Sequence, residues 1–477
     1  MKVLSVASEA HPLVKTGGLG DVVGALPDAL GVHGVEVNTL LPGYPSVVAG
    51  LQSKRKVHDY GALFGATAAV LQGEAAGLRL FVLDAPLLFD RPGGPYGSNG
   101  DWSDNWRRYA ALGKAGADIA MGVVEGWKPD LVHAHDWQAA MMPAYLRYGG
   151  AGRIPSVVTI HNLAFQGQFP ASIFPELGLP PEAMALDGVE YYGGVGFLKA
   201  GLQAAHAITT VSPTYAQEIR TPAFGMGLDG LLNLRAGSVH GILNGIDVET
   251  WNPQTDPHLE ATYSARTLAA RKLNRTAIEE RFGLERDPSP LVTVVSRLTW
   301  QKGMDILVHE FDRLVSAGMR LAVLGAGDQA LEGALLAAAA RHRGRAGVVI
   351  GYDEELAHLL QGGADAILIP SRFEPCGLTQ LYALRYGCVP VVARTGGLAD
   401  TVIDANEAAL AAGAASGLLF APDSGAALVE AARRLVKLHA DAPRWTSMQR
   451  QGMRTDVSWE RSAARYAELY RSLVAKG

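Results

Sequence analysis

Two basic residues, Arg297 and Lys302, lie on one loop directly after a short apolar run, Leu291–Val295. Such a run predicts a buried strand, and the ligands of parallel sheets bind outside the carboxyl ends of the strands. A departing diphosphate gains negative charge, and two cations directed at it stabilise the transition state more than the ground state. The loop therefore favours chemistry at a diphosphate, with a pair of solvated surface cations as the alternative.

A second candidate is the segment Ser371–Thr379, which follows another apolar run and precedes a helical pattern. Its proline and glycine predict an unusual turn that points Glu374 in one direction, where a carboxylate can bond sugar hydroxyls or balance a cationic sugar centre. The amides at its end would form a helix N-terminus, a site that binds diphosphates. These amides belong to Gly377, Leu378 and Thr379. A surface ion pair between Arg372 and Glu374 explains the segment equally well, and Cys376 alone is typical of inert packing.

A glycine-rich loop, Lys15-Thr16-Gly17-Gly18, follows the first strand pattern, Val3–Val6. The glycines allow a ligand to approach the backbone closely, and the helix after them offers free N–H groups. Lys15 adds a full positive charge. Because the loop is neither a Walker loop nor a G-x-G-x-x-G motif, a tight turn with a solvated lysine is an equal alternative.

Histidines and other polar residues occupy the ends of two further strand patterns. His133, His135 and Asp136 follow one strand, and His161 and Asn162 follow another. These groups suit the orientation of sugar hydroxyls. The H-x-H-D spacing also resembles a metal site, but no third or fourth ligand lies at usable spacing, so we predict no metal. A buried histidine with a satisfied hydrogen bond is the ordinary alternative for each.

One motif supports a different class of protein, a dinucleotide-dependent oxidoreductase. Gly325, Gly327 and Ala330 match G-x-G-x-x-A after a strand. The match is weak, because Arg345 stands about twenty positions later, where an acidic residue would hold a ribose. A glycine-rich turn that lines a nucleotide pocket fits the segment better.

The elements that must position these residues form two successive series of buried strands separated by helical patterns. This rhythm predicts two doubly wound α/β domains. A polar stretch rich in proline, Asn244–Pro290, separates the two series. We predict an N-terminal domain over residues 1–245, a second domain over 246–457, and a C-terminal helix over 458–477 for which Ser458 is the expected N-cap.

Composition narrows the classes of function. The 477 residues include 42 basic and 47 acidic side chains, a net charge of −5, which gives no electrostatic footprint for nucleic acid or an anionic membrane. No run of 18 apolar residues is present, and Glu9 interrupts the apolar N-terminus, so we expect neither a membrane span nor a signal peptide. Two cysteines, Cys376 and Cys388, exclude a disulfide scaffold and suit a reducing cytoplasm.

Taken together, these segments resemble the bacterial glycogen synthases and plant starch synthases, which are retaining glucosyltransferases of the GT-B fold. The resemblance runs along nearly the whole chain, and its order makes it specific. The matching segments begin at Lys15, Gly93, His133, Thr159, Phe224, Asn244, Ser296, Gln301, Ser371 and Arg394. The resemblance implies two Rossmann-like domains that face a central cleft, an ADP-glucose donor and an α-1,4-glucan acceptor.

The resemblance also implies roles for single residues. Arg297 and Lys302 would hold the diphosphate, while Glu374 and His161 would lie near the reacting carbon of the donor glucose. Together these four form the predicted catalytic set. The positions predicted to bind the nucleotide sugar are Lys15, Gly18, Asp21, Asp136, Asn162, Asn244, Gly325, Tyr352, Cys376, Gly377, Leu378 and Thr379.

The mechanism that the resemblance implies retains the α-configuration and needs no cofactor. We find no second carboxylate placed as a covalent nucleophile, so we expect front-face attack in which the leaving diphosphate accepts the proton of the incoming hydroxyl. The alternatives are a UDP-glucose enzyme of the same fold, the oxidoreductase above, and a catalytically silent glucan-binding protein. The sequence gives no prediction of oligomeric state.

Overall fold

The computed structural model describes residues 1–97 and 100–476, and the chain divides into two units. Unit 1 comprises residues 1–244 together with the tail from Trp459, and unit 2 comprises Gly245–Ser458. Gly477, the last residue of the predicted C-terminal helix, lies outside the described residues. Within the described ranges, no helix is both long and apolar enough to cross a membrane.

Unit 1 contains a nine-stranded sheet in the order β12-β11-β7-β6-β1-β2-β5-β4-β3 and a three-stranded sheet in the order β8-β10-β9. The strands are β1 (Lys2–Val6), β2 (Glu36–Pro42), β3 (Gln52–Leu63), β4 (Ala66–Ala75), β5 (Leu78–Asp84), β6 (Leu131–His135), β7 (Ser156–Ile160), β8 (Gln168–Pro170), β9 (Glu190–Tyr191), β10 (Gly194–Gly196), β11 (Ala207–Thr210) and β12 (Val239–Gly241). The strands from β12 to β5 pair in parallel, so polar residues that follow them gather at one edge of the sheet.

The helices of unit 1 lie between these strands, as a doubly wound sheet requires. They are α1 (Gly18–Gly31), α2 (Pro45–Gly50), α3 (Pro86–Phe89), α4 (Asn105–Met121), α5 (Asp136–Ala139), α6 (Met141–Tyr148), α7 (Phe197–Ala204), α8 (Pro213–Glu218) and α9 (Asp229–Leu234). α1 begins directly in the glycine loop, and α5 begins where β6 ends, so both predicted loops lead into helix N-termini.

The antiparallel hairpin of β3 and β4 was not among the predicted strands. β3 is mostly exposed and carries three consecutive basic residues, Lys54, Arg55 and Lys56, so it lacks the apolar run that identifies a buried strand. Its two-residue turn consists of Phe64 and Gly65, both with positive φ, as in the type I′ turns that match strand twist.

Unit 2 is a six-stranded parallel sheet in the order β15-β14-β13-β16-β17-β18. Its strands are β13 (Leu291–Val295), β14 (Arg320–Gly325), β15 (Ala346–Ile350), β16 (Ala366–Ile369), β17 (Val389–Ala393) and β18 (Leu418–Phe420). Its helices are α10 (Arg271–Phe282), α11 (Met304–Ser316), α12 (Gln329–Arg341), α13 (Glu354–Gly363), α14 (Thr379–Tyr386), α15 (Gly396–Thr401), α16 (Glu407–Ala411), α17 (Gly425–Ala440) and α18 (Ala442–Arg454).

Alternate residues of the central strand of unit 2 enter two separate cores. Val292 and Val294 pack with Phe311 of α11 on one face, whereas Leu291 packs with Ile278 of α10 on the other. Both faces of the sheet are therefore covered, which explains why its strands read as continuous apolar runs.

The tail helix, α19 (Glu460–Val474), packs within unit 1. Its residues Ala463, Tyr466 and Tyr470 lie in one core cluster with Val3 of β1 and Leu26 of α1. The prediction that Ser458 caps this helix is wrong, because the helix begins two residues later with Trp459 at the capping position. The Ser458 hydroxyl instead donates to Asp456 at 2.7 Å.

Candidate functional site

The loop after β13 brings the predicted diphosphate-binding lysine against the loop after β16. Gly303 ends this first loop with φ of +68°, and a Cβ there would lie 2.0 Å from the Pro370 carbonyl oxygen. Only glycine fits such an approach, so packing requires the glycine of the Gln301-Lys302-Gly303 sequence. Arg297 is exposed on the same loop, and within the described ranges its side chain has no hydrogen bond or ion pair.

Lys302 and Glu374 form an ion pair, with the lysine Nζ 2.6 Å from the glutamate Oε2. The Ser371 hydroxyl donates to the same oxygen at 2.9 Å. Both charged side chains are largely withdrawn from solvent, at 18% and 8% exposure, so each charge needs its partner. An ammonium has three donors, and only one is needed for Glu374, so Lys302 can bond an anionic ligand without leaving the glutamate.

The backbone around Glu374 is fixed by two glycines, Gly396 and Gly397, at the start of α15. Gly396 has φ of +43°, and a Cβ on it would lie 2.0 Å from the Glu374 carbonyl oxygen. The amide of Gly397 donates to that same oxygen at 3.1 Å. The loop after β17 therefore holds Glu374 in place, although sequence reasoning assigned these glycines no role beyond family resemblance.

α14 begins at Thr379 after Gly377, whose φ is +71°, and its capping residue Leu378 contributes no side-chain cap. The first amides of the helix are left for other acceptors, with the positive end of the helix dipole behind them. A cavity of about 50 Å³ lies at this point. Its polar lining comes from Ser296, Lys302, Glu374, Gly377, Thr379 and Gln380. Cys376 is buried beside it, at 5% exposure.

The alternative ion pair between Arg372 and Glu374 is wrong. Arg372 instead makes a bidentate contact with Asp305 at 2.6 and 2.8 Å, and its Nε donates to Asp423 at 2.8 Å. Its guanidinium also lies 4.4 Å from the ring centroid of Trp300. Arg372 thus ties the loop after β16 to the loop after β13, which leaves Glu374 for Lys302.

Gly325 and Tyr352 lie outside the residues that line this cavity. A Cβ on Gly325 would be 2.1 Å from the Ser296 carbonyl oxygen, so the glycine turn allows the loop after β13 to pass close to β14. Tyr352 precedes α13 with 80% of its surface exposed, and its hydroxyl donates to Glu354 at 2.8 Å.

In unit 1, the glycine loop places Lys15 and Asp21 in an ion pair at 2.8 Å across the start of α1, which begins at Gly18. Glu9 lies beneath the loop, where its carboxylate accepts hydrogen bonds from the amide and the hydroxyl of Thr16. Burial raises the pKa of Glu9. Sequence reasoning missed Glu9 as a site residue, although an acid three positions beyond a buried strand was a usable signal.

Three histidines of unit 1, His133, His135 and His161, are buried together. His133 contacts the Tyr470 hydroxyl through Nδ1 at 2.7 Å and Thr159 through Nε2 at 2.5 Å, and His135 Nδ1 lies 3.0 Å from His161 Nε2. Burial lowers the pKa of His135 to about 3 and holds the pKa values of the other two well below their usual range, so all three are neutral near pH 7. Among the residues described, no group of three or more potential ligands could hold a metal ion.

Asp136 connects the ends of β6 and β7. It has a left-handed backbone, with φ of +55°, and its Oδ1 accepts a hydrogen bond from the His161 amide at 2.7 Å. Burial raises the pKa of Asp136 to about 8. The side-chain oxygen of Asn162 accepts from the Ala164 amide at 3.1 Å, and so shapes the same loop. Asn244 ends the first segment of unit 1, and its buried Oδ1 has no hydrogen-bond partner in the described part of the chain.

The raised pKa of Asp136 predicts a specific pH dependence of stability. The folded state keeps a proton on Asp136 that the unfolded state releases near pH 3.8. The stabilisation that this proton provides is therefore complete below pH 3.8 and is lost as pH rises through about 8. We expect Asp136→Asn, which mimics the protonated form, to reduce the fall in Tm between pH 6 and pH 9. The exposed Asp28→Asn is the matched control, and parallel Tm curves for Asp136→Asn and the wild type would contradict the assignment.

Comparisons with known proteins cover the whole chain. A family model described as the starch synthase catalytic domain matches residues 2–234, and one described as glycosyl transferases group 1 matches residues 276–451. The chain is 67% identical to the glycogen synthase of Mesorhizobium japonicum, over 100% of this chain and 99% of that protein. It is 61% identical to glycogen synthase 1 of Rhizobium meliloti, with 100% of both chains covered.

Solved structures match over the same length. The catalytic domain of starch synthase IV from Arabidopsis thaliana, bound to ADP and acarbose, has a TM-score of 0.88 at 31% identity, with 99% of both chains covered. A sucrose-phosphate synthase from Thermosynechococcus elongatus has a TM-score of 0.62 at 19% identity over 100% of both chains, a likeness of fold alone.

Proposed function

The chain belongs to the glycogen synthase family of glycosyltransferases, and from that premise we propose that it transfers glucose from ADP-glucose to the non-reducing end of an α-1,4-glucan, with retention of configuration and release of ADP. The observation that carries the proposal is the Lys302–Glu374 pair beside the start of α14. One cavity thus combines a cation, a carboxylate and helix amides, which are the groups that a sugar diphosphate requires.

The diphosphate occupies the positive side of this arrangement. Lys302 offers its remaining N–H donors, the amides from Gly377 to Thr379 offer theirs, and Arg297 reaches the same anion from its exposed position on the loop after β13. These charges act most strongly when the bond to glucose breaks, because the diphosphate then carries its full charge. Arg372 keeps the two loops in register through its contacts with Asp305 and Trp300.

Glu374 lies on the sugar side. Its carboxylate is held by Lys302 and Ser371, so it stays fixed in place while the anomeric carbon becomes positively charged. In front-face transfer the bond from C1 to the diphosphate oxygen breaks and its electron pair stays on that oxygen. A bond then forms between C1 and the acceptor 4-oxygen, whose proton passes to the diphosphate oxygen. This sequence needs no covalent enzyme intermediate.

The proposal assigns to unit 1 the glucose and acceptor side of the reaction. Lys15 and Gly18 would contact the donor, as the family resemblance implies, and the peptide groups around His161 would steady the sugar. Neutral imidazoles suit this role, since they can bond hydroxyls without repelling a cationic sugar. A reducing cytoplasm is the proposed compartment, in keeping with a chain that has only two cysteines, both of them buried.

A direct assay tests the function. We expect the protein to release ADP and to add label to glycogen when it is given ADP-glucose and glycogen, with less turnover of UDP-glucose. ADP as donor nucleotide is supported by the ADP bound to the starch synthase IV relative. Absence of label in the glucan, or a change in nicotinamide absorbance instead, would refute the proposal.

The same assay tests whether protein cations alone balance the diphosphate. Because Arg297, Lys302 and the α14 amides supply the positive charge, we expect full activity after exhaustive treatment with EDTA. Untreated enzyme is the control. A loss that added Mg²⁺ or Mn²⁺ restored would show that the proposed protein charges are not sufficient.

A further inference from the structure

A buried cluster in unit 2 lies outside the proposed donor site. We name it the Asp256 cluster, and its members are Trp251, Asp256, His358, Tyr382 and Tyr386. The first two belong to the irregular segment that opens unit 2, the third to α13, and the last two to α14. The cluster therefore connects a segment without regular structure to two helices.

Asp256 is the polar centre of the cluster. Its Oδ2 lies 2.7 Å from His358 Nδ1 and accepts a hydrogen bond from the Tyr386 hydroxyl at 2.5 Å. Its Oδ1 accepts from the amide of His258 at 2.9 Å. The Asp256 side chain is fully buried, and that of His358 is 3% exposed. One carboxylate thus links α13 to α14, and because it is buried, loss of any partner leaves an unsatisfied polar group.

Trp251 fills the space between the same two helices. Its indole stacks on His358 of α13 with centroids 3.7 Å apart and planes 11° apart, and on Tyr382 of α14 at 3.7 Å and 13°. A rigid ring held between two others fixes the distance between the helices more closely than a flexible side chain would. Asp256 joins the helices by hydrogen bonds, and Trp251 sets their separation.

α14 begins at the cavity of the proposed donor site, whereas the start of α13 lies outside the residues that line that cavity. α13 starts at Glu354, two residues after Tyr352, which the family resemblance places near the adenine of the donor. α14 starts at Thr379, whose amide is proposed to bind the diphosphate. A further link, from Gln361 Nε2 to the Thr379 carbonyl oxygen at 3.4 Å, joins the later part of α13 to the first residue of α14. A shift of one helix against the other would change the distance between the adenine and diphosphate positions.

We propose that the Asp256 cluster positions α13 relative to α14, so that Trp251 and Asp256 determine how tightly the chain binds a nucleoside diphosphate without touching it. The inference rests on the proposed function, since it concerns the nucleotide part of the same site. Trp251 and Asp256 are positioning residues. We expect them to stabilise the bound nucleotide equally in the ground state and in the transition state. Loss of such binding raises KM and leaves kcat unchanged.

The test is a steady-state comparison of full-length variants. We expect Trp251→Ala to raise the KM for ADP-glucose by about tenfold while kcat stays within about threefold of the wild type and the KM for glycogen is unchanged. Trp251→Phe, which keeps a flat ring, should recover most of the affinity. Asp256→Asn provides a second route, and should raise the same KM if Trp251→Ala does not fold. Calorimetric titration with ADP should show a matching loss of affinity.

The matched control is Asp404→Asn. Asp404 is also a largely buried carboxylate, and it accepts hydrogen bonds from Arg434 of α17 and Leu419 of β18, neither of which lies on α13 or α14. This variant should lose stability and keep its KM for ADP-glucose. If Trp251→Ala and Asp256→Asn also keep that KM in an active enzyme, the inference is wrong. If the wild type itself releases no ADP from ADP-glucose, the proposed function fails, and the inference fails with it.

Discussion

Lys302→Ala is expected to lower kcat between about 100-fold and 1,000-fold, the range seen when one oxyanion donor is removed. The variant loses the cation that is proposed to bind the diphosphate, and it leaves the Glu374 carboxylate without its 2.6 Å partner. The measurement is the release of ADP from ADP-glucose at saturating glycogen, together with circular dichroism to show that the fold is kept.

Lys437→Ala is the matched control for this change. Lys437 is exposed on α17, so its replacement removes the same charge from the same unit at a distance from the cavity. We expect wild-type turnover from the control. A Lys302→Ala enzyme with near-normal kcat and an intact spectrum would remove Lys302 from the mechanism. The exposed Arg297 would then be the only side-chain cation left to the diphosphate in the proposal.

Glu374→Gln is expected to lower kcat by about 100-fold with a smaller change in the KM for ADP-glucose. Glutamine keeps the size of the side chain and its bond from Ser371, but it removes the negative charge that is proposed to balance the cationic sugar in the transition state. An interaction made only in the transition state lowers kcat and kcat/KM together, so both constants should be measured.

The control for this variant is Glu430→Gln on α17, where the glutamate pairs with Arg433 at 3.4 Å and is well exposed. Exposed pairs of this kind contribute little, so turnover should be unchanged. If Glu374→Gln raised KM and left kcat intact, Glu374 would be a binding residue and the proposed charge balance at the sugar would be wrong.

The family and the α/β fold class were predictable from sequence, and both predictions are confirmed. Helices cover both sides of the sheet, so a buried parallel strand such as β13 needs apolar side chains on both of its faces. Such a strand appears in the sequence as a continuous run of apolar residues. β3 gave no such signal, since its exposed edge carries Lys54, Arg55 and Lys56. The start of α19 also differed from the prediction, because the helix begins at Glu460 with Trp459, not Ser458, at the capping position.

The sequence singled out the residues of the candidate site, but it did not predict which of them pair. Sequence placed Lys302, Arg372 and Glu374 near strand ends, but it could not choose which cation meets the carboxylate, because the partners lie 72 residues apart along the chain. That choice depends on Asp305 and Asp423, which hold Arg372 away. Glu9 and the Asp256 cluster were not found from the sequence for a related reason. Their roles depend on burial and on contacts with distant residues, and a local sequence motif shows neither the burial nor the contacts.

The most direct test of the account is a crystal structure of the protein with ADP bound. The account predicts the β-phosphate at the N-terminus of α14, with Lys302 Nζ within about 3 Å of a phosphate oxygen and Arg297 turned toward the same group. Glu374 should remain beside Lys302 and face the position of the glucose. A diphosphate bound away from the start of α14, with Lys302 contacting only Glu374, would contradict it.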